Sequence, residues 1–554
     1  MTRLFRGTAC ALSPLPSPLR NRDSFTSLPL PTVTGDCGNS KELFSIAPMM
    51  GHTNRHYRYF VRLFSERTHL YTEMVPASQI VQAFRRARAL YLTTDAHEAT
   101  IAPEEIQEVM ERLRRDPGKE YHLLSAKETT DVVERTLTDL IGHASNCPSS
   151  SAPVGAVVLQ IGGGDPEVLR QAAAIGAAYG GYVDINLNCG CPSNAVRGRS
   201  AGAALMRDPS HVAHCVEAMQ EGIFEMGQGT NKLKPNVTVK HRLGVRDAAT
   251  FDASADRSKD DAEAYRSCRQ FVNAIALTGA VAKCHVHARY GLLGDFTPSK
   301  DANDSQQQLW VPGNASPIHD ASQPLGKVDH KRMQVSAKKR ARQATIQNRN
   351  VPPLRPSIVN QLAEDFPSVE FVTNGGVKSL DEVSQVVRGG RHGSGVNNVV
   401  GAMVGRAAIN HPCSFAAADT LWASAAEDQD IMNSKKRPTR GDVLLQYIEY
   451  CDAEEERMAA LHISPRLLQS LRKHLIAVPF HLFIGEDGND AFQRQIRKLT
   501  HRSFLIKASS VLSGAASFVS DVTLNKCVDD YVSWDAITVF DGYQRSSALQ
   551  RVIY

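Results

Sequence analysis

The sequence predicts an α/β fold: a closed (β/α)8 TIM barrel followed by a small all-helical C-terminal domain. Short apolar, β-branched runs alternate with amphipathic stretches from Leu43 onward, and eight such runs precede about Ala425. Beyond that point helical patterns continue without strands. With 554 residues the chain exceeds what one core organises, so a large domain with a smaller companion is the natural division.

The predicted strands are Ser45–Met50, His69–Val75, Ala156–Ile161, Tyr182–Leu187, Val237–His241, Ala282–His287, Val369–Thr373 and Val399–Val404. Helical spacing falls between them at Asn54–Ser65, Glu167–Ala178, Pro209–Met219, Ala262–Ala276 and Leu380–Arg388. This barrel, over about residues 41–425, is interrupted by two long polar insertions, about 94–153 and 299–347. The first has helical spacing near Pro103–Arg115. The second carries the basic run Lys338, Lys339, Arg340 and Arg342, open to reading as a solvated loop or as an RNA contact. After the barrel, Gly441–Glu455, Pro465–Ala477 and Asp490–Leu499 predict a helical domain over 437–510, and 511–554 is an extension without a readable motif.

Residues 1–40 precede the pattern. Up to about Thr34 this leader holds Arg3, Arg6, Arg20 and Arg22, with serines, prolines and only Asp23 as an acid. It is either an organellar transit peptide, placing the protein in a mitochondrion or plastid, or a disordered extension on a cytoplasmic protein. The 42% hydrophobic and 22% charged composition is that of a globular enzyme, and no apolar run is long enough to cross a bilayer. A net charge of +5 permits a polyanionic partner without identifying one. The 11 cysteines are scattered rather than regularly spaced, which favours a reducing compartment.

In a parallel barrel the loops that follow the strands open on one face, so chemistry is expected at the strand C-termini. Those ends read Ala47-Pro48-Met49-Met50-Gly51, Gln160-Ile161-Gly162-Gly163, Asn186-Leu187-Asn188-Cys189-Gly190-Cys191-Pro192, Lys240-His241-Arg242, His285-Val286-His287-Ala288-Arg289, Asn374-Gly375-Gly376 and Gly405-Arg406. The last two, with a helix following, suit a phosphate. Lys240 and His287 are unusual on barrel strands. A flavin would explain both, since a cation stabilises the reduced ring and an imidazole can donate to ring or phosphate oxygens, although a satisfied core histidine is the other reading of His287. Gln160 offers an amide to the same ring edge. Cys191, between a glycine and a proline, reads as a catalytic thiol or a structural cysteine; zinc is disfavoured because Cys189 and Cys191 lack a second ligand pair, so no metal is expected.

These residues resemble the tRNA-dihydrouridine synthases, most closely their A-type branch, from about Phe44 to Leu499 outside the insertions. The resemblance rests on Ser45-Ile46-Ala47-Pro48-Met49-Met50, Leu70-Tyr71-Thr72-Glu73-Met74-Val75, Leu159-Gln160-Ile161-Gly162-Gly163, Asp184 to Ser193, Val237 to Arg242, Val286-His287-Ala288-Arg289, Asn348 to Leu354, Thr373-Asn374-Gly375-Gly376 and Met403 to Ala408. It implies an oxidoreductase that reduces the C5–C6 double bond of D-loop uridines in tRNA, of the 20/20a type. NADPH or NADH would be the reductant. FMN would be held by Pro48, Met49, Met50, Gln160, Lys240, His287, Asn374, Gly375, Gly376, Gly405 and Arg406, with Cys191 as general acid. Asn188 could orient the uracil, and Arg349 with Arg466, Arg472, Lys473 and His474 could contact the tRNA. No obligate protein partner is implied. Cys189 and His241 depart from the pattern, and the loop after the sixth strand is split by the second insertion. Two competitors stand beside this reading: an FMN barrel that reduces a free pyrimidine or enone, and a catalytically silent RNA-binding relative.

Overall fold

The computed structural model describes residues 41–93, 101–116, 118–125, 136–143, 156–192, 201–226, 234–248, 251, 257–294, 348, 352–388, 398–422, 437–500 and 506–530. Strands β1 (Phe44–Ile46), β2 (His69–Tyr71), β3 (Val157–Gly162), β4 (Asp184–Cys189), β5 (Asn236–Arg242), β6 (Val281–His287), β7 (Glu370–Asn374) and β8 (Val399–Val404) each pair in parallel with the next. β8 pairs back onto β1, Phe44 facing Ala402, and the barrel is closed.

Side chains alternate across these strands. Val157, Leu159, Ile161, Ile185, Leu187, Cys189, Val237 and Val239 join the core shared with the surrounding helices. The other face turns inward, where Tyr71, Val158, Val372 and Met403 form a separate cluster. At the N-terminal end of the barrel the filling is polar: Glu42 accepts from Lys283 Nζ at 2.9 Å and lies 3.0 Å from His285 Nε2, which is 2.6 Å from the Tyr71 hydroxyl. Burial alone would raise the Glu42 pKa, but His285 and Lys283 hold it well below the carboxylate range.

Two strands are shorter than their apolar runs. β1 ends at Ile46, and β2 ends at Tyr71 because Thr72 Oγ1 accepts the Gln160 N–H at 3.0 Å, replacing a backbone acceptor. Pairing with β3 resumes only at Val75–Pro76.

The enclosing helices include α1 (Arg55–Arg62), α2 (Ala77–Leu92), α6 (Pro166–Tyr179), α7 (Pro209–Met226), α8 (Arg257–Ala276), α9 (Ser357–Asp365), α10 (Leu380–Val387) and the short α11 (Arg406–Asn410). Side-chain caps start several of them: Asn54 accepts from the Tyr57 N–H, Asp165 from Val168 and Ser379 from Glu382. The first insertion contributes α3 (Pro103–Arg115), α4 (Gly118–Ser125) and α5 (Leu137–Ile141). The second, 299–347, lies outside the described residues, and Asn348 follows it directly. Asn348 is fully buried and grips the barrel with both ends of its amide, accepting from Leu292 N and donating to Leu292 O at 2.6 and 2.8 Å.

After the barrel come α12 (Arg440–Ala460), α13 (Pro465–Ala477), α14 (Asn489–Thr500), α15 (Ala508–Ala516) and α16 (Asp521–Leu524). Helical structure therefore runs past the expected limit at 510. Val511, Leu512, Ala515, Val519 and Val528 join one core with Val443 and Tyr447, and Thr439 bridges Cys527. The same core contains Phe44, Phe60, Val404 and Phe415 of the barrel, so no gap separates the two parts.

At the joint, Tyr59 stacks on Tyr450 with ring centroids 3.9 Å apart, and His56 Nδ1 meets the Tyr450 hydroxyl at 2.8 Å. Glu454 accepts from Arg55 at 3.1 Å and from Arg457 at 2.9 Å; burial would raise its pKa, but these two guanidinium groups hold it far below the usual range. Arg55 also lies 3.7 Å from Asp139 of α5, which ties the first insertion into the same joint. Among the described residues no helix is long and apolar enough to cross a membrane.

Candidate active site

The chemistry-bearing residues expected at the strand ends meet around the C-terminal mouth of the barrel. Lys240 Nζ donates to Asn374 Oδ1 at 3.0 Å, over β6 from β5 to β7. Asn374 in turn donates through Nδ2 to Met403 O at 2.8 Å, so its amide is oriented by β8. Asn374, expected at the cofactor, is buried and held between Lys240 and Met403.

Burial, followed by the proximity of Arg242, pushes the Lys240 ammonium down to about 7, while Cys191 acts in the opposite sense. His287 is likewise held neutral, first by burial and then by Arg242, Lys240, Arg289 and Arg406. Four cationic groups acting together on one imidazole describe a strongly electropositive mouth.

The Asn374-Gly375-Gly376 turn closes against that imidazole. Gly375 and Gly376 have φ of +109° and +83°, and a Cβ on Gly375 would lie 2.8 Å from Leu354 Cδ2 and 3.0 Å from His287 Cδ2. On the adjacent side a Cβ at Gly405 would meet Met49 Sδ at 3.7 Å, which brings the ends of β1 and β8 together. Pro48 and Met49 are half-buried and Met50 is exposed. Arg406 is exposed at the start of α11.

Cys191 lies just beyond β4 and is half-buried. Its backbone is fixed on both sides. Asn188 Oδ1 accepts the Gly190 and Cys191 N–H groups at 3.2 and 3.0 Å, while Cys191 O accepts Ala203 N–H at 2.9 Å, an approach that leaves room only for glycine at Gly202. Arg242 Nε donates to Gly190 O at 2.7 Å and Nη1 to Tyr290 O at 2.8 Å. Arg242 stands in the Lys240-His241-Arg242 strand end, but the sequence assigns it no role of its own. Its place two residues after Lys240, on the same face of β5, was the available signal.

Gln160 is fully buried. Its amide lies between Asn186 Oδ1 and Asn188 Nδ2, each at 2.8 Å. Asn188, expected to orient the uracil, is also buried; its amide bonds Gln160 and the backbone of the Cys191 loop and so holds that loop. Cys189 points away from Cys191 into the helix-side core, with its thiol pushed well up by burial. Among the described residues no His, Cys, Asp and Glu group is arranged to hold a metal ion.

In the helical region Arg466, Lys473 and His474 are exposed on α13. Arg472 is not available in the same way: its guanidinium bonds Glu455 at 2.8 Å, and Glu455 also accepts the Ala508 N–H. It is a strut between α12, α13 and α15, which corrects its expected place among the tRNA contacts. Arg349 and Lys338–Arg342 lie outside the described residues.

The family described as Dihydrouridine synthase (Dus) matches residues 45–107, 133–310 and 339–503, more than half of the chain. A tRNA-dihydrouridine(20/20a) synthase of Synechocystis sp. is 28% identical over 457 residues, covering 82% of this chain and 89% of that protein. One of Pseudomonas putida is 28% identical over 420 residues, 76% of this chain and 80% of the relative. One of Shewanella oneidensis is 25% identical over 468 residues, 84% and 92% respectively.

Proposed function

The chain belongs to the dihydrouridine synthase family, and on that premise we propose that it reduces the C5–C6 double bond of D-loop uridines in tRNA, at the 20/20a positions named for its relatives. The observation that carries this reading is the convergence of Cys191, Lys240 and His287 on one electropositive barrel mouth. The mouth suits a flavin: the Gly375-Gly376 turn packs close against His287 and Leu354, Gly405 leads into a following helix, and the cations favour a phosphate. These groups would fit FMN: Lys240, His287, Gly375, Gly376, Gly405 and Arg406 would hold it, with Pro48, Met49, Met50 and Gln160 contributing to the same site. Such a group, charged from NADPH or NADH, supplies hydride to C6.

The protein's own part is the proton. Cys191 gives it to uracil C5 from a loop fixed by Asn188 and Arg242, so the donor is in place before the substrate arrives. A stacked uridine cannot reach this depth, and the base must leave its stack to enter the mouth. Arg466, Lys473 and His474 are exposed to meet tRNA phosphates.

The test is dihydrouridine formation, read by mass spectrometry of digested tRNA, with purified protein, FMN, NADPH and unmodified transcript. Wild type forms the product. Cys191→Ala keeps its fold and loses at least about a hundredfold in rate, the scale of general acid catalysis. NADPH consumption with free uracil or an enone, and none with tRNA, would transfer the assignment to a small-molecule reductase.

A further inference from the structure

We propose that Asn186 and Thr238, beneath the mouth, are positioning residues for the proton donor: they set the orientation of Gln160 and Asn188, and through them the loop that carries Cys191. This rests on the reading of Cys191 given above. Neither residue touches that loop.

The argument is one of direction. A primary amide donates from one end and accepts at the other, whereas a backbone N–H only donates. The Gly190 and Cys191 N–H groups face the Asn188 side chain, so its near atom must be oxygen. Its nitrogen then faces Gln160 Oε1 at 2.8 Å. The Gln160 nitrogen must in turn face Asn186 Oδ1 at 2.8 Å, and the Asn186 nitrogen faces Thr238 Oγ1 at 2.9 Å. Turning any one amide would set nitrogen against nitrogen or oxygen against oxygen. The row therefore has one satisfied arrangement.

Burial makes that arrangement binding. Gln160, Asn186 and Thr238 are fully buried and Asn188 nearly so, and a buried amide group without a partner is strongly penalised. The same barrel interior is filled by Val158 and Val372 elsewhere, so polar side chains are not needed to fill space. A row of aligned amides ending on the Cys191 backbone instead fixes where the thiol stands. Thr238 ends the row by accepting from Asn186 Nδ2, so that the last buried amide is held in place by a partner.

The experiment compares full-length wild type, Thr238→Val, Thr238→Ser, Asn186→Leu and Cys191→Ala. Thr238→Val keeps shape and removes only the hydroxyl, so it decides the matter if Asn186→Leu does not fold. Turnover at saturating tRNA and the rate of Cys191 alkylation by iodoacetamide, read by peptide mass spectrometry, are both measured. Thr238→Val and Asn186→Leu are expected to lower turnover about tenfold or more, with the KM for tRNA moving less than about threefold, because proton delivery and not tRNA binding is disturbed. Alkylation of Cys191 speeds up as its loop is released, and Thr238→Ser restores both values. Wild-type turnover in Thr238→Val overturns the proposal, as does lost turnover with unchanged alkylation, since the effect then bypasses Cys191. Wild-type turnover in Cys191→Ala would instead overturn the reading on which it rests.

Discussion

At the scale of single residues, Lys240 offers the sharpest consequence. Its pKa falls from 10.5 to about 7 in the folded chain, chiefly through burial. Between those values the unfolded chain binds the extra proton, so this group's contribution makes stability rise with pH from about 7 to 10.5. An anionic ligand against Lys240 favours its charged form and must draw in a proton above pH 7. The affinity of the ligand-free protein for FMN should therefore fall between pH 7 and 9, by up to about tenfold per unit, and Lys240→Met should flatten this dependence. His287 does not confuse the measurement, because burial and the Arg242, Arg289 and Arg406 guanidinium groups keep it neutral throughout that range. Fluorescence titration at pH 7, 8 and 9 is sufficient, and a pH-independent wild-type affinity would remove Lys240 from the binding site. Lys240, His287 and Cys191 were legible in the sequence because charged or reactive groups at strand ends break an apolar pattern. Asn186 and Thr238 were not, since what they do depends on partners in neighbouring strands.

At the scale of elements, two junctions decide how helices are held. Glu120 of α4 accepts from Leu137 N and, at 3.2 Å, from Thr138 Oγ1 of α5; burial raises its carboxyl to about 7 despite those donors. The folded chain then holds a proton that the unfolded chain releases above about pH 4.5, so this group's contribution to stability falls as pH rises from 4.5 to 7. Glu120→Gln keeps an acceptor for the Leu137 N–H and sets an amide N–H opposite the Thr138 hydroxyl, which can turn to accept from it. It should melt higher than wild type at pH 8, by an amount on the order of 2 kcal/mol, and nearly together with it at pH 5. Equal melting at pH 8 would refute this. On α13 the cations divide. Arg472→Ala strands the buried Glu455 carboxylate and should cost about 3 kcal/mol of stability, whereas Lys473→Ala should leave melting unchanged and weaken tRNA binding with a smaller salt dependence. Thermal melts and fluorescence anisotropy at two salt concentrations separate the two effects. The helix itself was readable from its spacing, and α13 spans the expected Pro465–Ala477. That Arg472 is spent on Glu455 was not, because the ion pair joins different helices and leaves no mark on either one's periodicity.

At the scale of the whole molecule, barrel and helical region share a core, and the joint is charged as well as apolar. Tyr59 and Phe60 of the barrel pack on Tyr447 and Tyr450, and Arg55 answers Glu454 from 399 positions away. The order of strands could be read along the chain, but such a joint could not, since a buried arginine in one helix looks like any surface arginine until its partner is known. Removal of everything after about residue 425 should therefore not release a sound barrel. It exposes that aromatic face and leaves Arg55 without Glu454, and the fragment should be insoluble or melt far below the full chain; a soluble, well-folded fragment that still binds FMN would show the joint to be dispensable. The Asn348 clasp works in the other direction. By tying the return of the chain to Leu292, it closes a loop of chain at a fixed point of the scaffold. The entropic cost of closing such a loop grows only with the logarithm of its length, each doubling adding about 0.6 kcal/mol. Descent can thus lengthen, shorten or recompose that segment almost freely while the barrel beneath it is inherited unchanged.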